Sequence, residues 1–210
     1  MGLRPHELDL LQAAAMQVDP ADVDSYLRLK KLLGSGNDAD RAAFCKLFAG
    51  YYQLNSGGLT AEWKRRYFEL LFAFRPGAED PYSPLLRELY KYPRLKGDHA
   101  LEFSFVSKLV AMHDESQPLY DRHVRTFFRL APPPPGLLRE RIAAFRGILA
   151  HIRSQYEAWA TEPQFMPVLA TLCQIRPGLA QCHPTRLCDL LVWTTGRNRL
   201  DCRPGGDKVG

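Results

Sequence analysis

Asp121 stands between a proline-bounded connection, Asp114 to Pro118, and a run whose Val124, Phe127 and Phe128 are apolar while Arg122, Arg125 and Arg129 share a polar side. That spacing predicts a short amphipathic helix opened by the aspartate. A carboxylate there has two readings. It can be an N-cap, accepting backbone amides and meeting the positive end of the helix dipole, or it can be an acid held ready for chemistry. The other reactive residue types are weaker leads. Cys173, Cys182, Cys188 and Cys202 are separated by eight, five and thirteen residues, which fits no compact zinc or iron–sulfur pattern, even with His183 nearby. Cys188 sits among apolar residues, where a free thiol packs as a small hydrophobe, and Cys45 has less claim still. No metal site and no cofactor is expected. No Ser-His-Asp signature, phosphate-binding glycine loop or HExxH motif occurs, which argues against hydrolase, kinase and metalloprotease chemistry.

The elements that must position Asp121 read as helices throughout, because apolar residues recur at three and four and no period-two run flanked by hairpin turns appears. The fold class is therefore all-α. Gly34-Ser35-Gly36 stops an early helix, Asn37 or Asp38 caps the next, and Thr60 caps one whose stripe is Trp63, Tyr67, Leu70, Leu71 and Phe74. Lys64, Arg65 and Arg66 lie outside that stripe as a solvated face. Asp98 is placed to cap a helix with Leu101, Phe105, Leu109 and Met112 inward and Ser104, Ser107 and Lys108 elsewhere. Pro132 to Pro135 form a stiff spacer before the longest helix. On that helix Arg139, Arg146 and Arg153 make a row that could meet phosphates or simply face water. The last helix runs from Thr185 to Thr195 with Gly196 as its C-cap. The expected organisation is a single domain over residues 1–200, with two lobes joined at 132–135 as the alternative, and a flexible tail at 201–210.

With 210 residues, 46% of them apolar, the chain can bury a sizeable core. No run approaches the length of a membrane helix, the first residues do not read as a secretory signal, and five unpatterned cysteines fit a reducing compartment. A cytoplasmic protein without a membrane partner is the expectation. The formal charge of +5 permits a polyanionic partner without requiring one.

The segment Pro118-Leu119-Tyr120-Asp121-Arg122-His123-Val124-Arg125 resembles the Pro-Val-Asp-x-His-Val-x-Arg signature of helix-hairpin-helix DNA glycosylases. This is the base-excision superfamily that includes the 8-oxoguanine glycosylases and endonuclease III. The resemblance implies a bacterial, helical DNA-binding protein, a monofunctional glycosylase that removes a damaged or modified base from double-stranded DNA with the aspartate alone, which stabilises an oxocarbenium-like sugar and orients a water. It makes Asp121 the catalytic carboxylate. The family's hairpin, Leu-Pro-Gly-Val-Gly-x-Lys, has its counterpart in Leu95-Lys96-Gly97-Asp98-His99-Ala100-Leu101. Gly97 is retained, His99 replaces the second glycine, and Leu101 occupies the slot of the nucleophilic lysine, so Schiff-base chemistry would need Lys96 or Lys108 instead. The implied DNA contacts are Lys96, Gly97, His99, Arg122, His123 and Arg125. The alternative is a helical scaffold or DNA-binding adaptor that has lost the chemistry.

Overall fold

The computed structural model describes residues 2–55 and 58–201. Among them are ten α-helices and no named strand: α1 Pro5–Gln17, α2 Pro20–Ser35, α3 Asp38–Tyr51, α4 Ala61–Ala73, α5 Tyr82–Leu89, α6 Phe103–His113, α7 Arg122–Phe128, α8 Leu138–Ala160, α9 Met166–Ile175 and α10 Pro184–Asp201. A 3-10 turn at Pro177–Leu179 separates the last two. The expected tail at 201–210 lies, beyond Asp201, outside the described residues, as does Cys202.

Local chemistry sets most helix ends. Asn37 accepts the Asp40 amide and Thr60 accepts that of Trp63, while α2 ends on Gly36 in the left-handed conformation, φ 75°. Trp63, Tyr67 and Leu71 of α4 are buried, and Trp63 stacks on Tyr67 at 5.2 Å between ring centroids. Arg65 and Arg66 stay on the outer side with Glu69 and Glu88. Of the arginine row on α8, Arg146 pairs with Asp80 at 3.0 Å, Arg153 donates to the Gln117 side chain, and Arg139 is exposed.

Two helix ends differ from the sequence-based expectation. Asp98 does not cap α6; the chain from Arg94 to Asp98 closes a turn with Gly97 at φ 83°, and the helix begins five residues later at Phe103. Gly196 is not a C-cap but lies within α10. A Cβ there would come within 2.5 Å of the His123 carbonyl oxygen, so the glycine is what lets α10 cross the backbone of α7 at close range.

Helix α6 runs through the middle of the packing. Its apolar face meets α4, where Tyr67 donates its hydroxyl to the Phe105 carbonyl at 2.8 Å. Its polar side is inside as well, with Ser107 at 0% exposure and Lys108 at 8%. Helical spacing set Phe105 apart from Ser104 and Lys108, but all three line one cavity, Leu101 precedes the helix, and both sides of α6 are enclosed. No helix among the described residues is long and apolar enough to cross a membrane.

Candidate functional site

The enclosed polar side of α6 opens on a cavity of about 330 Å³. Aromatic rings form much of its wall: Tyr26 from α2, Tyr51 and Tyr52 at the end of α3, Phe105 from α6 and Trp193 from α10. Polar groups converge on the same space, among them Lys108, Asp121, Arg186 and Asp189. The volume sits at the small end of the range for small-molecule sites, about 300–1,000 Å³.

Lys108 donates to Ser104 Oγ at 3.0 Å, and its ammonium lies 5.2 Å from the Tyr52 ring centroid and 5.3 Å from that of Phe105. It makes no ion pair among the described residues. Burial lowers its pKa from the usual lysine range, and the field of the Asp121 carboxylate pulls weakly the other way. Burial without a paired counter-charge favours the neutral amine, the nucleophilic form.

Asp121 caps α7 as its spacing predicts. Its Oδ1 accepts the amides of His123 at 2.9 Å and Val124 at 3.0 Å. Both bonds fall on one oxygen. Oδ2 takes no hydrogen bond among the described residues, so capping does not exhaust the carboxylate.

His123 packs edge-on against Trp193 at 5.3 Å, and burial lowers its pKa despite the nearby Asp121, leaving a neutral imidazole at pH 7. Arg122 is exposed at the edge of the cavity. The cavity therefore brings together Asp121, Lys108, Arg122 and His123. It does not include Lys96, Gly97, His99 or Arg125. Lys96 and Gly97 are on the exposed turn before α6, and His99 Nδ1 is 2.7 Å from the Tyr90 carbonyl. Arg125 lies over the Tyr120 ring at 5.9 Å.

Sequence reasoning missed the buried pair on α10. Arg186 Nη1 meets Asp189 Oδ2 at 2.8 Å, with 5% and 1% of each residue exposed. Burial opposes the Arg186 charge, but Asp189 together with Tyr26, Tyr52 and Glu115 outweighs it, so the pKa of the guanidinium is raised. Burial pushes the Asp189 carboxyl up to about 6 against the pull of the same arginine. The signal was present as two opposite charges three apart, in line with Leu187, Cys188, Leu190 and Leu191. The aromatic walls from α2 and α3 had no such signal, since tyrosines on amphipathic helices read as ordinary core.

Among the described residues no group of three or more His, Cys, Asp or Glu side chains is placed to hold a metal ion. Cys45, Cys173, Cys182 and Cys188 are free thiols, and burial raises the pKa of Cys188. Comparison with protein-family models, curated proteins and solved structures returned no match for this chain.

Proposed function

We propose that this chain is a DNA glycosylase of helix-hairpin-helix type that seats one damaged or modified base in the aromatic cavity and cleaves its N-glycosidic bond. One observation carries the reading: a desolvated lysine amine and a carboxylate with one oxygen unbonded among the described residues face one half-open, aromatic-walled space. The aromatic walls suit a base taken out of the stack. The Lys108 amine, in its unprotonated form, attacks C1′ of the sugar as the C1′–N bond breaks, and the bonding pair leaves with the base. The attacking nitrogen then gives up its two protons, one to the departing base anion and one to the ring oxygen, whose bond to C1′ breaks as the sugar opens to the imine. Asp121 stabilises the positive charge that develops on the sugar in the transition state. Lys108 comes from the helix after the Gly97 turn, five positions beyond the first residue of α6, in place of the family's hairpin lysine.

A second reading keeps the fold and drops the chemistry. It is favoured by the placement of Lys96, Gly97 and His99 away from the cavity, which leaves the expected grip on the DNA backbone unassembled. The test is an abasic-site assay on a panel of duplexes with modified bases, with sodium borohydride added to trap an imine. Wild type is expected to yield abasic product and a trapped covalent adduct, and Asp121→Asn and Lys108→Met to yield neither. A trapped adduct that persists in Lys108→Met would remove the lysine from its role. Product that is absent with every substrate, or unchanged in Asp121→Asn, would refute the catalytic reading in favour of the adaptor.

A further inference from the structure

Asp121 is reached through a stretch of backbone, Gln117 to Tyr120, that has no regular structure and is largely enclosed. Such a segment cannot pair its own amides and carbonyls, so other groups must. Three do so here, from two helices. Asp189 of α10 accepts the Leu119 amide with both carboxylate oxygens at 3.1 Å, and Arg186 donates to the Gln117 carbonyl at 3.1 Å. From α6, Ser107 Oγ accepts the Tyr120 amide at 3.0 Å and donates to the Ser104 carbonyl at 2.9 Å. The serine precedes Lys108 in sequence, and the amide it holds precedes Asp121. One hydrogen bond therefore ties together the two residues that the proposed chemistry uses.

We propose that Ser107, Arg186 and Asp189 are positioning residues, which hold the Gln117–Tyr120 backbone so that the Asp121 carboxylate stands at a fixed place relative to the Lys108 amine. Simple satisfaction of buried backbone does not require a buried ion pair. Neutral acceptors would serve, and a pair of enclosed charges is a poor source of net stability. What a charged pair adds is a defined geometry, and this one lies in the wall of the same cavity. The inference rests on the glycosylase reading for its effect on rate, but its geometric part stands apart from it.

The experiment uses Ser107→Ala, which changes no charge, and Asp189→Asn, beside Leu172→Ala as a remote core control. Three quantities are measured in the full chain: single-turnover cleavage, hydrogen exchange of the Leu119 and Tyr120 amides, and the titration midpoint of Lys108 followed at Nζ by nitrogen-15 NMR. Ser107→Ala should slow cleavage about 10²-fold, the scale of a misplaced catalytic group, and expose the Tyr120 amide to exchange. It should also lower the Lys108 midpoint as the Asp121 field moves away. Asp189→Asn should slow cleavage likewise and release the Leu119 amide. Leu172→Ala should lower the melting temperature and leave the other readouts unchanged. A Ser107→Ala rate equal to that of the control would overturn the proposal, as would an unmoved Lys108 midpoint. If wild type cleaves nothing, the glycosylase reading fails, and the exchange rates with the Lys108 midpoint alone decide whether the clamp exists.

Discussion

Replacing Lys108 by methionine should abolish the proposed activity while leaving the protein about as stable as before. The substitution keeps the length of the side chain and its apolar contacts with Tyr52 and Phe105. It removes a charge-assisted hydrogen bond to Ser104, worth about 1.5–3 kcal/mol. It also removes two cation–π contacts, worth roughly 2 kcal/mol each where the cation is desolvated. Against these stands the cost of enclosing an ammonium that has no carboxylate at salt-bridge distance among the described residues, on the order of several kcal/mol. The two sides nearly cancel. At about 2–4 °C per kcal/mol for a chain of this size, the melting temperature should stay within a few degrees of wild type. The pH dependence gives a sharper check. Because the folded pKa of Lys108 is lowered, the unfolded chain binds more protons above that pKa, so wild-type stability gains with rising pH through this window. The stability of Lys108→Met relative to wild type should accordingly be greatest at neutral pH and fall as the pH climbs toward the ordinary lysine range. Differential scanning calorimetry from pH 6 to 10 measures both quantities. A melting temperature that falls by about 10 °C at pH 7, several kcal/mol on the same scale, would mean that Lys108 is a structural cation and would refute its assignment as a stored nucleophile.

Other outcomes separate capping from chemistry and packing from binding. Asp121→Ala removes the cap of α7 and should cost about 0.5–2 kcal/mol in chemical denaturation. Asp121→Asn keeps an accepting oxygen and should cost much less, so equal losses would contradict the single-oxygen cap. Gly196→Ala drives a methyl into the His123 carbonyl and should cost about 1–3 kcal/mol. Tryptophan fluorescence should also report a change around Trp193, whereas Gly147→Ala on the open face of α8 should be neutral or stabilising. Duplex binding, measured by fluorescence anisotropy from low to physiological salt, should weaken steeply if phosphates are contacted. A flat, weak isotherm would favour a substrate other than duplex DNA.

Much of the fold was legible because local rules governed it. Thr60, Asn37, Gly36 and the Trp63–Tyr67–Leu71 stripe act through neighbours a few residues away, and each does in the structure what its spacing predicts. The failures have a common physical cause. Gly196 resembles a helix terminator in sequence, and only its crossing with α7, more than seventy positions earlier, makes it an internal residue of α10. Ser107 and Lys108 occupy a polar side that would face water on a surface helix, but α6 is enclosed on both sides. Asp121 was legible as a cap. That it shares a cavity with Lys108, and that Arg186 and Asp189 grip the backbone before it, depends on contacts between residues distant in sequence, which periodicity does not encode.

The close crossing at Gly196 also has a meaning in time. The cavity wall that carries Arg186, Asp189 and Trp193 belongs to the last helix described, while the lysine and the aspartate are made much earlier, near the middle of the chain. During synthesis, α1 to α7 emerge and can begin to pack. The cavity nevertheless stays open on one side, and the backbone before Asp121 stays unheld, until α10 arrives and its glycine lets it settle against His123. The cavity that Lys108 and Asp121 share is thus closed on its α10 side only when the rest of the fold is complete, and a nascent or prematurely ended chain would carry both residues without that wall.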